Sequence, residues 1–147
     1  MSFDILYEED SSSPPSALDR RNVILSVDSH SGVLFARYKL LSAAGYVALS
    51  TTDGVCGLQI FGSYPVDLVL LNYVLPELDG GSVAHAMKEY EPNVPIIMLS
   101  GAKVPEQCLA AVTLYLSKGE RSETLLAAIR ELMASSIRIR VGWGKAE

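Results

Sequence analysis

Val66-Asp67-Leu68-Val69-Leu70-Leu71-Asn72 is the stretch whose reading decides the fold. It is preceded by Tyr64-Pro65 and followed by Tyr73-Val74-Leu75-Pro76-Glu77-Leu78-Asp79-Gly80. A membrane helix takes roughly 20 apolar residues, so this run is too short to span a bilayer, and turn formers stop it on both sides. It reads as a strand buried on both faces of a parallel sheet. The carboxyl end of such a strand is where an open α/β sheet places its ligand site. Asn72, at that end, is therefore the first candidate functional residue.

On either side of it, strand-like and helix-like segments alternate. Val23-Ile24-Leu25-Ser26-Val27 reads as the first buried strand and ends at Asp28-Ser29-His30. Residues 31–44 follow as a helix with Val33, Leu34, Arg37, Leu40 and Leu41 at helical spacing, closed by Gly45 as a C-terminal cap. Residues 46–50 are a second strand, and 53–62 a helix carrying Val55, Leu58 and Phe61. After the central strand, residues 82–90 form a helix with Val83, Ala86 and Met87 inward. Residues 95–100 are a fourth strand, 105–111 a short helix and 114–117 a fifth strand. Ser122 caps a last helix to about residue 134, with Leu125, Leu126, Ile129 and Leu132 buried. This βα alternation predicts a doubly wound parallel sheet.

The ends have a different composition. Residues 1–21 include Glu8-Glu9-Asp10 and Ser11-Ser12-Ser13-Pro14-Pro15-Ser16 and read as a flexible tail, with a short Phe3, Ile5, Tyr7 alternation. Ile137-Arg138-Ile139-Arg140-Val141-Gly142-Trp143 alternates apolar and basic residues, so residues 135–147 read as an extension containing a strand that pairs with a sheet edge. The domain itself is assigned to residues 22–134.

Composition excludes several function classes. With 147 residues, 49% of them hydrophobic and 20% charged, the chain is sized for one domain with a substantial core. A formal charge of -5 with no basic stripe argues against nucleic acid as partner. Neither a signal peptide nor a membrane helix is recognisable, so a soluble, cytoplasmic protein is expected. Cys56 and Cys108 lack metal-ligand spacing and read as reduced thiols within helices. His30 reads as a solvated loop residue and His85 as a helix-surface residue. Ser26 and Ser29 lie in no G-x-S-x-G turn and have no spaced acid and base, which disfavours hydrolase chemistry.

The stretches Val23 to Asp28, Ala44-Gly45-Tyr46, Asp67 to Leu71, Leu75-Pro76-Glu77-Leu78-Asp79-Gly80, Pro95 to Ser100 and Tyr115-Leu116-Ser117-Lys118 together resemble one family. It is the response-regulator receiver domain of two-component, phosphorelay signalling, matched over residues 22–134. The resemblance implies a flavodoxin-like, three-layer α/β/α fold with a five-stranded parallel sheet. It also implies a site at which an acidic pair and an acceptor Asp hold Mg²⁺, while a Ser or Thr and a Lys contact the phosphoryl group. Carried over, these positions are Asp28 and Ser29, Asn72, Ser100 and Lys118, with Tyr115 at the place of a switch aromatic.

Three positions depart from the family pattern: Asn72 replaces the acceptor, Ser29 replaces the second acid, and Gly119 follows Lys118 where Pro is usual. A neutral amide is no nucleophile for acyl phosphate formation. Mg²⁺ favours sites with carboxylates and waters, and only Asp28 remains, so no cofactor is expected and Mg²⁺ binding is expected to be weak or absent. Lys118 should then take Asp28 as its counter-charge and leave a pocket close to neutral.

The expected function is a receiver-like, non-enzymatic signalling module that acts by protein-protein contact without phosphorylation. Its partner would be a signalling protein or a second copy of the chain. Contact would run through residues 105–134, from Pro105 to Ala134, or through the C-terminal strand. One alternative is a regulator in which a small molecule or a proton replaces phosphate. Another is a flavodoxin-like enzyme, which Asp28-Ser29-His30-Ser31-Gly32 serves poorly as a phosphate-cradling loop.

Overall fold

The computed structural model describes residues 22–146, with side chains described for 22–135. Five strands, β1 (Val23–Val27), β2 (Val47–Thr51), β3 (Leu68–Asn72), β4 (Ile96–Ser100) and β5 (Leu114–Ser117), form one parallel sheet in the order β2-β1-β3-β4-β5. β3 and β4 are buried along their whole length, as continuous apolar runs in a two-sided parallel sheet must be. The order reverses direction between β1 and β3, and such a switch opens a crevice at the carboxyl ends of the two strands. Asp28 and Asn72 stand there.

Helices cover both faces. α1 (Ser31–Ala43) and α4 (Ser122–Ala146) lie on one side, where Leu41, Leu125, Ile129 and Met133 pack on Ile24, Leu68, Leu70 and Ile97. α2 (Gly54–Ser63) and α3 (Gly80–Tyr90) lie on the other, where Ile60, Phe61, Val83 and Met87 pack on Leu25, Val27, Val69 and Leu71. The alternation along each strand follows from the two-residue period of side-chain direction. Asp67 ties the amino ends together, its Oδ2 accepting from the Val23 N–H at 2.8 Å.

Local chemistry sets the helix boundaries. Asp53 and Asp79 cap α2 and α3, accepting from the backbone N–H groups of Cys56 at 2.7 Å and Ser82 at 2.8 Å. Gly45, at φ 95°, ends α1 in the left-handed conformation that glycine adopts without steric cost. Gly80 is required for a different reason: a β-carbon there would lie 2.8 Å from the Tyr73 Cα, so only glycine lets α3 start against the end of β3.

Three expectations need correction. In α2 the cap at Asp53 sets a helical phase that turns Cys56, Gly57, Ile60 and Phe61 inward, so Val55 is 42% exposed instead of buried. Residues 105–111 contain only a four-residue 3₁₀ turn, Glu106–Leu109, and Cys108 in it is half-buried. Residues 135–146 continue α4 as helix and are not a strand. Extending an existing helix avoids the costly nucleation step, and no Gly or Pro falls between Ser122 and Val141 to stop it. The proposed pairing of Ile137, Ile139, Val141 and Trp143 with a sheet edge therefore loses its strand. The burial of those side chains and the N-terminal residues 1–21 lie outside the described residues.

Candidate functional site

Asp28 follows β1 and is fully buried. A buried carboxylate must be paired or hydrogen-bonded to remain charged, and Asp28 is both. Its Oδ1 accepts from the His30 backbone N–H at 3.0 Å and lies 3.3 Å from His30 Nδ1. Its Oδ2 lies 2.8 Å from Lys118 Nζ and 3.6 Å from Arg37 Nη1.

The Lys118 contact is the pairing expected from the sequence. Lys118 is held at the end of β5, where its N–H donates to the Ser100 carbonyl at 3.1 Å. Arg37 is the residue that sequence reasoning missed as part of the site. It sits on the inner face of α1 between Leu34 and Leu41, only 9% exposed. Burial pushes its pKa below the ordinary guanidinium value, and the neighbouring Asp28 charge works in the opposite direction. The available signal was a basic residue at an in-facing helical position, which implies a buried counter-charge. Arg37 thus adds a second cation beside Asp28 to the expected Lys118 pairing, while exposed Glu120 lies along the same pocket as the two cations.

The remaining positions carried over from the family pattern turn to their own loops. Asn72 is 3% exposed, and its Nδ2 donates to the Val74 carbonyl at 2.8 Å. Ser100 Oγ donates to the Ala102 carbonyl at 2.9 Å and accepts from the Ala102 N–H at 3.0 Å, a local turn of the kind Ser readily forms. Ser29 is exposed, its Oγ 3.5 Å from His30 Nδ1. Tyr115 is 40% exposed on edge strand β5. His30 is exposed on its ring side, as expected, yet its main chain holds Asp28. His85 is a surface residue 3.8 Å from Glu89.

These residues do not fit a Mg²⁺ ion. Mg²⁺ requires near-octahedral oxygen ligands including carboxylates, and the one carboxylate from the family set already faces Lys118 and Arg37. An entering dication would meet both of those charges at close range.

Beside the crevice, Tyr73 and Cys108 join the loop after β3 to the 3₁₀ turn. Loss of hydration, and then the hydrogen bond with Cys108, push the Tyr73 phenol above its ordinary value of 10.0.

The sequence pattern of the response regulator receiver domain matches residues 24–130. Among curated proteins, the chain is 30% identical over 118 residues to a probable transcriptional regulator, ycf27, of Porphyridium aerugineum, covering 78% of this chain and 49% of that one. It is 32% identical over 89 residues to the hybrid signal transduction protein dokA of Dictyostelium discoideum, covering 58% of this chain and 5% of that one. The chain thus spans at most about half the length of these relatives. Among solved structures, a CheY-like receiver domain protein from Methanospirillum hungatei superimposes with a TM-score of 0.78 at 22% identity, covering 81% of this chain and 98% of that one. The signal receiver domain of an HD domain-containing protein from Pseudomonas fluorescens gives 0.75 at 28% identity, covering 88% and 98%. The motifs, the strand order and these matches agree, and the chain belongs to the response-regulator receiver domain family.

Proposed function

We propose that this receiver domain signals by protein-protein contact and without phosphoryl transfer at its usual position. The observation that carries the reading is the state of Asp28, whose Oδ2 already faces Lys118 at 2.8 Å and Arg37 at 3.6 Å. In a phosphorylating site that carboxylate would serve a metal, and the lysine would wait for the phosphoryl group. Here both are engaged with each other, and Asn72 offers no anionic oxygen to attack phosphorus.

The contact surface in this reading is residues 105–134. The 3₁₀ turn Glu106–Leu109 replaces a full helix on that side, and Tyr115 is left exposed on the sheet edge. The Ser100 hydroxyl, held by Ala102, supports a single resting arrangement of the loop instead of a switch that follows phosphate. The output is association, with no chemical step of its own.

The test is crosslinking of the full chain in its own cells, followed by binding of the recovered partner in vitro with and without phosphoramidate and Mg²⁺. Equal binding under both conditions, weakened by Tyr115→Ala, is the expected result. Binding that requires the phosphodonor would overturn the reading.

A further inference from the structure

The end of the sheet opposite Asp28 and Asn72 carries an exposed aromatic patch. Tyr90, the last residue of α3, is 68% exposed, yet its ring is held in place. It meets Phe61 edge to face with centroids 6.2 Å apart, and its Oη lies 3.5 Å from the Gly62 carbonyl oxygen. Tyr64, two residues beyond Gly62, is also exposed, beside exposed Pro65. Rigid tyrosines offer a large contact area at low entropic cost, so a patch of this kind suits an interface. It is also acidic: exposed Glu89 and Glu91 flank Tyr90, and Lys88 before them is half-buried.

The chain itself supplies a matching segment. Residues 1–21 join the domain at Asn22, next to the patch. There the Asp67 N–H donates to the Val23 carbonyl at 2.8 Å, and Tyr64, three residues before Asp67, lies within roughly 15 Å of the junction. Pro15 is seven residues before Asn22, a span of up to roughly 25 Å when extended, so Pro14-Pro15 can reach both tyrosines. Consecutive prolines favour the polyproline II conformation, which aromatic surfaces bind because little freedom is left to lose. Between the prolines and the domain, Arg20 and Arg21 outweigh Asp19 and carry charge opposite to Glu89 and Glu91. The run Glu8-Glu9-Asp10 precedes the prolines and is repelled by the same glutamates, which confines the match to residues 14–21. We propose that residues 14–21 dock on the domain, the prolines against Tyr64 and Tyr90 and the arginines toward Glu89 and Glu91. The surface lies at the other end of the strands from the Asp28 cluster, so the inference goes beyond the phosphorylation-independent reading and does not rest on it.

The test is NMR of the full chain labelled at proline and tyrosine. Nuclear Overhauser contacts from Pro14 and Pro15 to the Tyr64 and Tyr90 rings are expected, with the same intensity per molecule over an about tenfold range of protein concentration, because the segment is tethered. Tyr90→Ala, at an exposed position, should also remove the contacts to Tyr64. Arg20→Glu with Arg21→Glu, which leaves the folded domain untouched, should weaken the contacts severalfold by setting like charges against Glu89 and Glu91. The absence of these contacts, contacts that grow with concentration and so come from a second copy, or contacts undiminished in the tyrosine and arginine variants would overturn the proposal.

Discussion

Arg37 of α1 places its Nη1 3.6 Å from Asp28 Oδ2, so a buried cation built into the fold stands beside the carboxylate. The relationship is long-range in charge but local in sequence, one strand end against the helix that follows it. It gives Asp28 two counter-charges, Arg37 and Lys118, and each can be tested by its removal.

Asp28→Asn should destabilise the domain. The change leaves a nearly buried guanidinium and a partly buried ammonium without a counter-charge, and breaking a buried pair in this way costs on the order of 3 kcal/mol. In a pocket crowded with carboxylates the same change would relieve repulsion and stabilise. Urea unfolding decides between the two signs. Adding Arg37→Met to Asp28→Asn should recover part of the loss, because contacting charges couple in a double-mutant cycle.

Asn72→Asp alone should not restore phosphorylation. The restored carboxylate would still lack a second acidic partner at Ser29, and Asp28 would still face Lys118 and Arg37. Incubation of Asn72→Asp with phosphoramidate and Mg²⁺, followed by mass analysis, should show no added phosphoryl group. Stoichiometric incorporation would mean that Asn72 is the sole block.

Gly80→Ala should be costly despite the small size of the change. The added methyl group would lie 2.8 Å from the Tyr73 Cα, which belongs to backbone and cannot rotate away. Overpacking of this kind costs about 1–3 kcal/mol. Thermal or urea unfolding measures it, and the loop from Tyr73 to Gly80 should show the largest amide shifts.

Stability should fall in alkali through Tyr73. Its folded-state pKa is raised above 10.0, so between that value and the higher folded value the unfolded chain has lost the proton and the folded chain has kept it. The contribution is complete below pH 10 and disappears as pH rises through the folded value. Tyr73→Phe should flatten that alkaline limb, and identical limbs in the two proteins would contradict the assignment.

Most of the fold was legible because buried strands announce themselves. Leu68 to Leu71 and Ile96 to Leu99 are continuous apolar runs, and Gly45 and Ser122 mark where α1 ends and α4 begins. The positions Asp28, Asn72, Ser100 and Lys118 were carried over from the family resemblance, and the parallel sheet sets them at the carboxyl ends of its strands.

What escaped was set by phase and by charge at a distance. Val55 and Cys56 are neighbours, and only the cap at Asp53 determines which one faces the core. Arg37 occupies an apolar helix position, and its charge acquires a meaning once Asp28 is found next to it. The period-two pattern of Ile137 to Val141 suggested a strand, but an unbroken helix precedes it and carries on through it.

Arg37 and Lys118 stand at 3.6 and 2.8 Å from Asp28 Oδ2, where the proposed reading leaves no room for a metal. The most direct measurement is a Mg²⁺ titration of the full chain to millimolar concentration, followed through the backbone amides of Asp28, Ser29, Asn72 and Lys118. No saturable shift at these amides is the predicted result. A saturable shift centred on Asp28 and Asn72 would contradict the account.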